Sequence, residues 1–435
     1  MIEYNDKKIY KNSLYSFLYK IISMILSFIS APLLLSCLGE EKYGIWITLG
    51  SIISWIYYSD LGIGSGLRNK LSYSLGKNDI KSAKGYIATS YILLTVISIV
   101  LFFLFVIFVS IFDVSKILNI NISENISLCL IVALFFSCLN FIFSLANNLA
   151  YAEQRASLVS FFNLLGQGLY VSTLFVFLKS RINLILYIAI GEGVCQVIKN
   201  ILETHYILKK YPELRVTFSN YHHKYTKGIL SFGLLVFISQ ISSLIHNTTD
   251  NILIAYFFGS MDVTPYNFCF KFFNLINTLY LVLLTPLVSA YTVAKSQENM
   301  KWIRSAMNKS MILYSLFFIS TIVAIFIFRP FARIWLGREL EYSNGLIIFT
   351  CIYFLMLMLS HNTTSLQTGL GDLKMATVAV TIGALLNIPA SIFCAVNLNF
   401  GVSGIVMGSV ISMIPVLAVG LYKYIYYKRI AKNEI

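Results

Sequence analysis

Ionisable and amide side chains recur at helical spacing inside one of the apolar stretches of the sequence. They occupy positions i, i+4, i+7 and i+11 of one segment: Glu192, Gln196, Lys199 and Glu203. This spacing places all four side chains on one face of a helix. In an apolar environment a carboxylate and an ammonium can carry a proton or bind a charged ligand. They can also serve only as hydrogen-bonding groups between helices.

A second stripe with the same spacing follows in the next apolar segment. Its members are a pair of serines, a histidine and an acid: Ser239, Ser243, His246 and Asp250. Hydrogen bonding between helices accounts well for the serines, and it is the simpler alternative for the charged residues. Glu192 and Asp250 are candidates to carry a coupling proton, because a desolvated carboxyl has a raised pKa.

The composition identifies the environment of these stripes. The 435 residues are 57% hydrophobic and 12% charged, with a mean hydropathy of +0.76, whereas soluble domains carry about 25% charged residues. A helix needs ~20 apolar residues to cross ~30 Å of hydrocarbon. We therefore predict an all-α integral membrane protein with twelve transmembrane helices. The predicted spans are residues 13–36, 45–67, 86–112, 126–148, 157–178, 184–208, 229–257, 264–293, 307–328, 345–368, 375–397 and 402–425.

The lysines and arginines are unevenly distributed among the predicted loops. The loops on the side of the two termini carry most of the 33 basic residues, which predicts cytoplasmic termini. The same bias accounts for the net charge of +14 without nucleic acid as a partner. The opposite loops are too short for a separate domain of ~50 residues, so we expect the function to reside within the helices.

Two lysines lie inside predicted spans at depths that match those of nearby acids. Lys20 and Asp60 lie ~10 Å from the cytoplasmic ends of the first and second spans. Lys271 and Asp250 are similarly placed near the outer ends of the eighth and seventh spans. Each pair can neutralise itself or hold a lysine ready for an anion, and Lys20 can also extend its ammonium to the headgroups.

A glycine-rich stretch, "YSDLGIGSGLR" at residues 58–68, ends the second predicted span. Its G-x-G-x-G spacing differs from the G-x-G-x-x-G of dinucleotide-binding loops, and no βαβ pattern surrounds it. The seven cysteines are dispersed and lack C-x-x-C spacing, so we expect neither a disulfide framework nor a zinc site. The sequence therefore indicates neither a metal nor a cofactor.

The twelve spans divide into two sets of six. We expect an N-terminal lobe over residues 1–208, a basic cytoplasmic linker over 209–228 and a C-terminal lobe over 229–435. An even number of spans gives both halves the same orientation, as in parallel repeats. The stretches "LLLSCLGEEKYGIW" and "LIAYFFGSMDVTPYNF" lie at equivalent places after the first and seventh spans, which favours such a repeat.

Several stretches resemble one family of membrane proteins. The segment "YSDLGIGSGLRNKLSYSLGKND", preceded by "LGEEKYGIWITL", is similar to the amino-terminal signature of the Wzx-type polysaccharide flippases. These flippases belong to the superfamily that also contains the multidrug and toxic compound exporters and the lipid II flippases. Further similar stretches are "ALFFSCLNFIFSLANNLAYAEQR", "RPFARIWLG" and "LQTGLGDLKM", so the resemblance extends over nearly the whole chain.

The resemblance implies two six-helix lobes around a central cavity in the bacterial inner membrane. The substrate would be an undecaprenyl-pyrophosphate-linked repeat unit of O-antigen or a similar glycan, moved from the cytoplasmic to the periplasmic leaflet by alternating access. The polymerase and chain-length regulator of the same pathway would be partners. In this interpretation the glycines allow close helix packing where the chain leaves the membrane on the cytoplasmic side, and Arg68 lies at that membrane interface.

The implied substrate assigns roles to individual residues. A pyrophosphate that leaves water requires cations, for which Lys20, Lys271 and Arg68 are candidates. Sugar hydroxyls require hydrogen-bonding side chains, for which the candidates are His246, Asn247, Asn163 and Gln167. Asp60, Lys199, Glu192 and Asp250 are expected to form charge pairs or to couple transport to an ion. The tetrapeptide HNTT recurs at residues 246–249 and 361–364, either by coincidence or as sugar-binding polarity.

Three other functions stay open at this point. A cation-coupled drug exporter of the same superfamily would use an acid such as Asp250. A membrane glycan polymerase or ligase would need an outer cluster such as Arg329, Arg333 and Arg338, which interfacial anchoring also explains. A scaffold without transport activity would tolerate loss of the buried charges.

Overall fold

The computed structural model describes residues 6–57, 60–118, 120, 122–153, 155–217, 220–372 and 374–433. Within the helix Lys224–Phe258, the described side chains are those of residues 224–230, 237, 245 and 248–258. The chain forms two compact units, Met1–Ile241 and Ser242–Ile435. Every regular element of the described residues is helical.

Long helices connected by short turns build the first unit. They are α1 (Asp6–Leu38), α2 (Glu40–Tyr57), α3 (Ile63–Gly76), α4 (Ile80–Ile111), α5 (Val114–Ile117), α6 (Ile126–Phe143), α7 (Leu145–Ala152), α8 (Ala156–Lys179), α9 (Ile185–Lys210) and the first half of α10 (Lys224–Phe258). Side-chain oxygens of Asp79, Asp113 and Asn125 accept backbone N–H groups at the starts of α4, α5 and α6. Each cap satisfies donors that the first helical turn leaves free.

The second unit contains the remainder of α10 and six further helices. They are α11 (Ser260–Ser296), α12 (Met300–Leu336), α13 (Asn344–Gly369), α14 (Lys374–Ile392), α15 (Val402–Ser412) and α16 (Ile414–Asn433). A π-helical turn over Phe393–Asn397 extends α14. α13 packs against α11, α12, α15 and α16 and is therefore the central helix of this unit.

Ten helices of the described residues are long and apolar enough to cross a membrane. This confirms the prediction of an all-helical, multi-pass membrane protein. The predicted span 45–67 is not one helix, because α2 ends at Tyr57 and α3 begins at Ile63. Between them, Leu61 and Gly62 have φ angles of 50° and 71°, which no helix accommodates. The predicted span 229–257 lies within α10.

The outward faces of two helices consist almost entirely of apolar side chains. In the most apolar parts of α4 and α12 only 17% of the residues are buried. The exposed side chains include Phe103, Leu104 and Ile107 on α4, and Leu316, Ile319 and Phe326 on α12. A helix surface of this kind is compatible with lipid and not with water.

Hydroxyl and amide groups line the contact between α1 and α8, which run parallel. Asn12 accepts from Ser157, and the hydroxyls of Ser16 and Ser160 lie 2.7 Å apart. Farther along, the Cys37 thiol lies 3.6 Å from the carbonyl of Leu174. Small polar residues allow two membrane helices to approach closely and to bond across the seam.

Two glycines allow α15 to pack directly against the backbone of its neighbour. Gly404 and Gly408 have the G-x-x-x-G spacing of close helix contacts. A Cβ atom at Gly408 would lie 2.2 Å from the Cα of Ser391, and one at Gly404 would lie 2.5 Å from the Cα of Ala395. Backbone atoms cannot move aside as a side chain can, so both positions require glycine.

We expect Gly408→Ala to lower the stability of the protein by about 1–3 kcal/mol, the usual cost of overpacking. Thermal unfolding of the purified protein in detergent measures this loss. Gly168→Ala in α8 is the matched control, because a Cβ there meets only the end of the Leu26 side chain, at 4.0 Å. Equal unfolding temperatures for Gly408→Ala and the parent would contradict the close contact.

One ion pair and its hydrogen bonds connect three segments of the first unit. Lys42 Nζ lies 2.6 Å from Glu124 Oε1 and donates to the Asn183 carbonyl at 2.9 Å. The second Glu124 oxygen accepts the Ile185 N–H. These bonds connect the starts of α2, α6 and α9, so the carboxylate fixes the spacing of three helices at one end of the unit.

A second ion pair joins the turn after α13 to the last helix. Asp372 lies 2.6 Å from Lys423 Nζ, and the Tyr427 hydroxyl donates to the same carboxylate oxygen at 2.8 Å. These hydrogen bonds hold the pKa of Asp372 below its usual value. The pairing therefore stabilises the fold above the unfolded-state pKa of ~3.9, and this stabilisation is lost as the pH falls through the lower folded-state pKa.

We expect Asp372→Asn to unfold at a lower temperature than the parent near neutral pH, with the difference shrinking as the pH falls below ~3.9. Thermal unfolding from about pH 3 to pH 7 tests this. Glu213→Gln, at an exposed position outside the cluster, should show no such pH-dependent difference. A difference that stays constant across the range would mean that the ion pair is not its source.

Candidate functional site

The glycine-rich stretch forms a capped turn at the start of α3. Asp60 accepts the backbone N–H of Gly62 at 2.8 Å and that of Gly64 at 3.3 Å. A Cβ at Gly66 would lie 2.3 Å from the carbonyl oxygen of Ile229, so this glycine lets α3 pack against α10. The stretch therefore contains a structural turn, which agrees with its departure from the G-x-G-x-x-G spacing of dinucleotide-binding loops.

The capping role of Asp60 changes the predicted charge pair with Lys20. Among the residues that the structure describes, Lys20 forms no ion pair with Asp60. Lys20 is instead exposed on α1. Backbone N–H groups at a helix start already compensate the carboxylate, which explains why it does not need the lysine. The exposed Arg68 lies 4.7 Å from the centre of the Tyr151 ring in a cation–π contact.

The polar stripe of α9 faces the interior of the first unit. Lys199 is 4% exposed and Glu203 is fully buried. The Lys199 ammonium donates to the Asn163 amide oxygen of α8 at 2.9 Å. Both charges therefore lie inside the helix bundle one turn apart, where they attract each other.

The N-terminal part of the same stripe lines a cavity of about 250 Å³ within the first unit. Glu192 and Gln196 contribute to its wall together with Asn140 and the aromatic rings of Trp46 and Phe136. Gln167 lies elsewhere, on the seam between α1 and α8, where its amide is 3.5 Å from the Ser30 hydroxyl. The structure thus brings Glu192 and Gln196 together, and it separates them from Gln167.

We expect Asn163→Leu to destabilise the protein by about 1.5–3 kcal/mol, because the buried Lys199 ammonium would lose its acceptor. Thermal unfolding of the purified variant measures the loss. Asn69→Leu, at an exposed position of α3, is the matched control and should unfold like the parent. If the two variants unfold alike, Asn163 does not hold the lysine.

Asp250 lies at the centre of a hydroxyl network in the second unit. It is 2% exposed, and it accepts hydrogen bonds from Tyr266 at 3.1 Å and from Ser409 at 3.0 Å. Among the described ion pairs none joins Asp250 to Lys271, and the carboxylate is bonded by hydroxyls of α11 and α15. Lys271 Nζ lies 5.9 Å from the centre of the Phe268 ring. The side chains of His246 and Asn247 lie outside the described residues.

A cavity of about 410 Å³ in the second unit contains residues that were not among the predicted site residues. Its polar lining comes from Asn274 and Asn277 of α11 and from Ser360, His361 and Thr364 of α13. The second HNTT tetrapeptide supplies two of these residues, so its recurrence was the available signal. The described part of the chain contains no cluster of three or more His, Cys, Asp or Glu side chains that could hold a metal.

The arginines at the end of α12 are engaged in structural contacts. Arg329 donates to the Tyr342 carbonyl and to the Asn344 amide oxygen, each at 2.8 Å. Arg333 forms an ion pair with Glu339 at 3.0 Å. These bonds hold the loop between α12 and α13 against the end of α12.

The fold places the chain in a known structural class. It superposes on the inward-facing conformation of a multidrug resistance MATE family transporter of the MOP superfamily with a TM-score of 0.72, covering 95% of this chain and 96% of that one at 16% identity. A MOP superfamily transporter from Pyrococcus furiosus matches with a TM-score of 0.64 at 15% identity, over 98% and 96% of the two chains. The chain therefore has the fold of these helical transporters.

The sequence comparisons identify the family within this class. The family model described as "Polysaccharide biosynthesis protein" matches residues 9–292, so the chain belongs to that family. The MatE family model matches residues 236–393. A protein of Salmonella typhimurium (strain LT2) described as a candidate O-antigen transporter is 26% identical over 409 residues, 91% of each chain. A candidate O-antigen export protein of Yersinia pseudotuberculosis is 23% identical over 91% of this chain and 90% of its own.

Proposed function

We propose that this protein is a flippase that moves polysaccharide repeat units across a membrane. The observation that carries the proposal is the agreement of family and relatives over most of the chain. The polysaccharide biosynthesis family model matches residues 9–292, and the O-antigen transport relatives align over 91% of this chain or more. The transporter fold supports the same reading, since such a protein must open to each side in turn.

The proposed substrate is a repeat unit of O-antigen or a similar glycan on undecaprenyl pyrophosphate. The proposed place is the inner membrane of a bacterium, with transfer from the cytoplasmic to the periplasmic leaflet. In this proposal twelve spans form two six-helix lobes, residues 1–208 and 229–435, joined by the basic segment 209–228. The termini are cytoplasmic, in agreement with the distribution of lysine and arginine.

Three cations are proposed to meet the pyrophosphate. A diphosphate that leaves water must replace its hydration by charge-assisted hydrogen bonds. Lys20 and Arg68 are exposed and so can reach an anion, and Lys271 is half-buried on α11. Lysine contacts a phosphate as a point charge without the bidentate geometry of arginine, which suits a substrate that must also be released.

The remaining predicted residues divide by their surroundings. Asn163 and Gln167 of α8 and His246 and Asn247 of α10 are proposed for the glycan, with Asn163 also holding Lys199. Asp250 and Glu192 are proposed to carry a coupling proton. Asp60 and Lys199 are proposed to be charged residues with a structural role. The polymerase and chain-length regulator of the same pathway are proposed partners.

A second candidate function is cation-coupled export of drugs. The buried carboxylate of Asp250 favours it, because an acid held by two hydroxyls can take up and release a proton. The MatE match over residues 236–393 includes this acid. A glycan polymerase or ligase has less support, because Arg329 and Arg333 are bound to their own loop.

The test uses inverted membrane vesicles from cells that lack their own flippase. These vesicles receive a radiolabelled undecaprenyl-pyrophosphate-linked repeat unit, and protection of the label from an added glycosidase reports translocation. We expect the parent to protect the label and Lys271→Ala and Lys20→Ala to do so about tenfold more slowly, as loss of one charged hydrogen bond predicts. Lys309→Ala, an exposed lysine near the start of α12, is the matched control.

The possible results of this assay distinguish a wrong function from a wrong assignment of the cations. A parent that protects no lipid-linked glycan, although the matched repeat unit is supplied, would exclude the flippase. Drug efflux with the parent and Asp250→Asn would then test the second candidate. If the parent is active and both lysine variants match it, the function stands and the cation assignment is wrong.

A further inference from the structure

The 410 Å³ cavity of the second unit has the composition of a site for an uncharged, hydroxyl-bearing ring. Its volume lies in the range of ~300–1,000 Å³ that is typical of small-molecule pockets. Two helices provide most of its wall, and its described lining residues all belong to Ser242–Ile435.

The polar side of the cavity follows from helical periodicity. On α11, Phe270, Asn274, Asn277 and Leu281 recur at i, i+4, i+7 and i+11. On α13, the same spacing presents Tyr353, Leu357, Ser360 and Thr364. Each helix therefore turns an aromatic ring, then polar groups, toward the same space. The cavity is aromatic at one end and rich in amide and hydroxyl groups beyond it.

One buried acceptor in this wall lacks a partner among the described residues. Asn277 is 4% exposed, and its Oδ1 atom accepts no hydrogen bond there. Its Nδ2 atom donates to Asn274 Oδ1 at 3.3 Å, which is a long bond. That oxygen is also inaccessible to water, so it does not face the open cavity. The amide of Asn274 beside it is exposed and presents hydrogen-bonding groups to this space.

The aromatic end of the cavity is built from rings in mutual contact. The centre of the Phe270 ring lies 4.9 Å from that of Phe354 and 6.0 Å from that of Tyr353. These contacts fix the orientation of the Phe270 ring. A sugar ring has one apolar face of C–H groups and a rim of hydroxyls, so it fits between an aromatic surface and hydrogen-bonding amides.

The lack of charged side chains in the described wall determines which ligands the cavity can accept. None of its described lining residues is an aspartate, glutamate, lysine or arginine. A phosphate or an organic cation would enter without a counter-ion, which is strongly unfavourable in an apolar environment. An acyl chain would bury the Asn274 amide and the His361 ring against hydrocarbon, which is also unfavourable.

We propose that this cavity, with Asn274 and His361 as its main hydrogen-bonding residues, binds one uncharged sugar ring of the transported glycan. His361 can donate from one ring nitrogen and accept with the other, and Asn274 can donate through its amide nitrogen. The subsite rests on the proposed function, because it gives the glycan a binding place separate from the lysines assigned to the pyrophosphate.

The experiment measures equilibrium binding to the full-length protein in lipid nanodiscs. The probe is the tritium-labelled repeat-unit oligosaccharide released from its lipid and pyrophosphate, so the cations do not contribute. We expect Asn274→Leu and His361→Phe to weaken binding about tenfold, as loss of one or two neutral hydrogen bonds predicts. Methyl glycosides of its neutral sugars should displace the probe, and inorganic pyrophosphate should not.

Matched substitutions elsewhere control for the chemistry of the change. Asn308→Leu on α12 and His205→Phe on α9 make the same replacements at exposed positions, and both should bind the probe like the parent. Elution of each variant as a single species shows that it is folded. If Asn274→Leu fails to fold, His361→Phe and Ser360→Ala carry the comparison.

The vesicle assay separates failure of the subsite from failure of the function. If the parent translocates the lipid-linked unit and binds the free oligosaccharide, but the folded cavity variants have the parent's Kd, the subsite is wrong and the flippase stands. Displacement by pyrophosphate alone would also overturn the subsite. If the parent neither translocates nor binds, the function fails and the subsite fails with it.

Discussion

A polar group inside this protein is stabilised only by a partner within the protein, because hydrocarbon offers none. The buried charges show how that requirement is met. Lys199 reaches across to an amide of α8, and Asp250 is held by two hydroxyls from different helices. Asp60 is compensated by the backbone of the turn that it caps. In each case the partner fixes the position of a helix as well as the state of the charge.

The same requirement explains which features could be predicted from the sequence. Apolar length identifies the membrane helices, and the spacing of Glu192 to Glu203 identifies a face of α9 that is indeed turned inward, because both depend only on local periodicity. The lysine–acid pairs were inferred from depth alone. Depth does not reveal that a neutral hydroxyl or a backbone N–H lies nearer to an acid than a lysine does. The ion pairs proposed for Asp60 and Asp250 are therefore not among those of the described residues.

Two further features could not be predicted from the periodicity of the sequence. The break between α2 and α3 depends on the backbone of Leu61 and Gly62, which an apolar pattern does not register. The cavity of the second unit needs α11 and α13 to face each other, and only tertiary packing determines that. Its residues lie at helical spacing in the sequence, as those of α9 do. They carry no charge, however, and uncharged polar residues are a weak signal in an apolar span.

The outward faces of α4 and α12 have a consequence for how such a protein can diverge. Where a surface is required only to be apolar, leucine, isoleucine, valine and phenylalanine can replace one another at little cost. The positions held by contact with another backbone, such as Gly404 and Gly408, allow no such exchange. We expect sequence drift to accumulate on such apolar faces rather than at the helix contacts, which is compatible with a fold shared at 16% identity and a TM-score of 0.72.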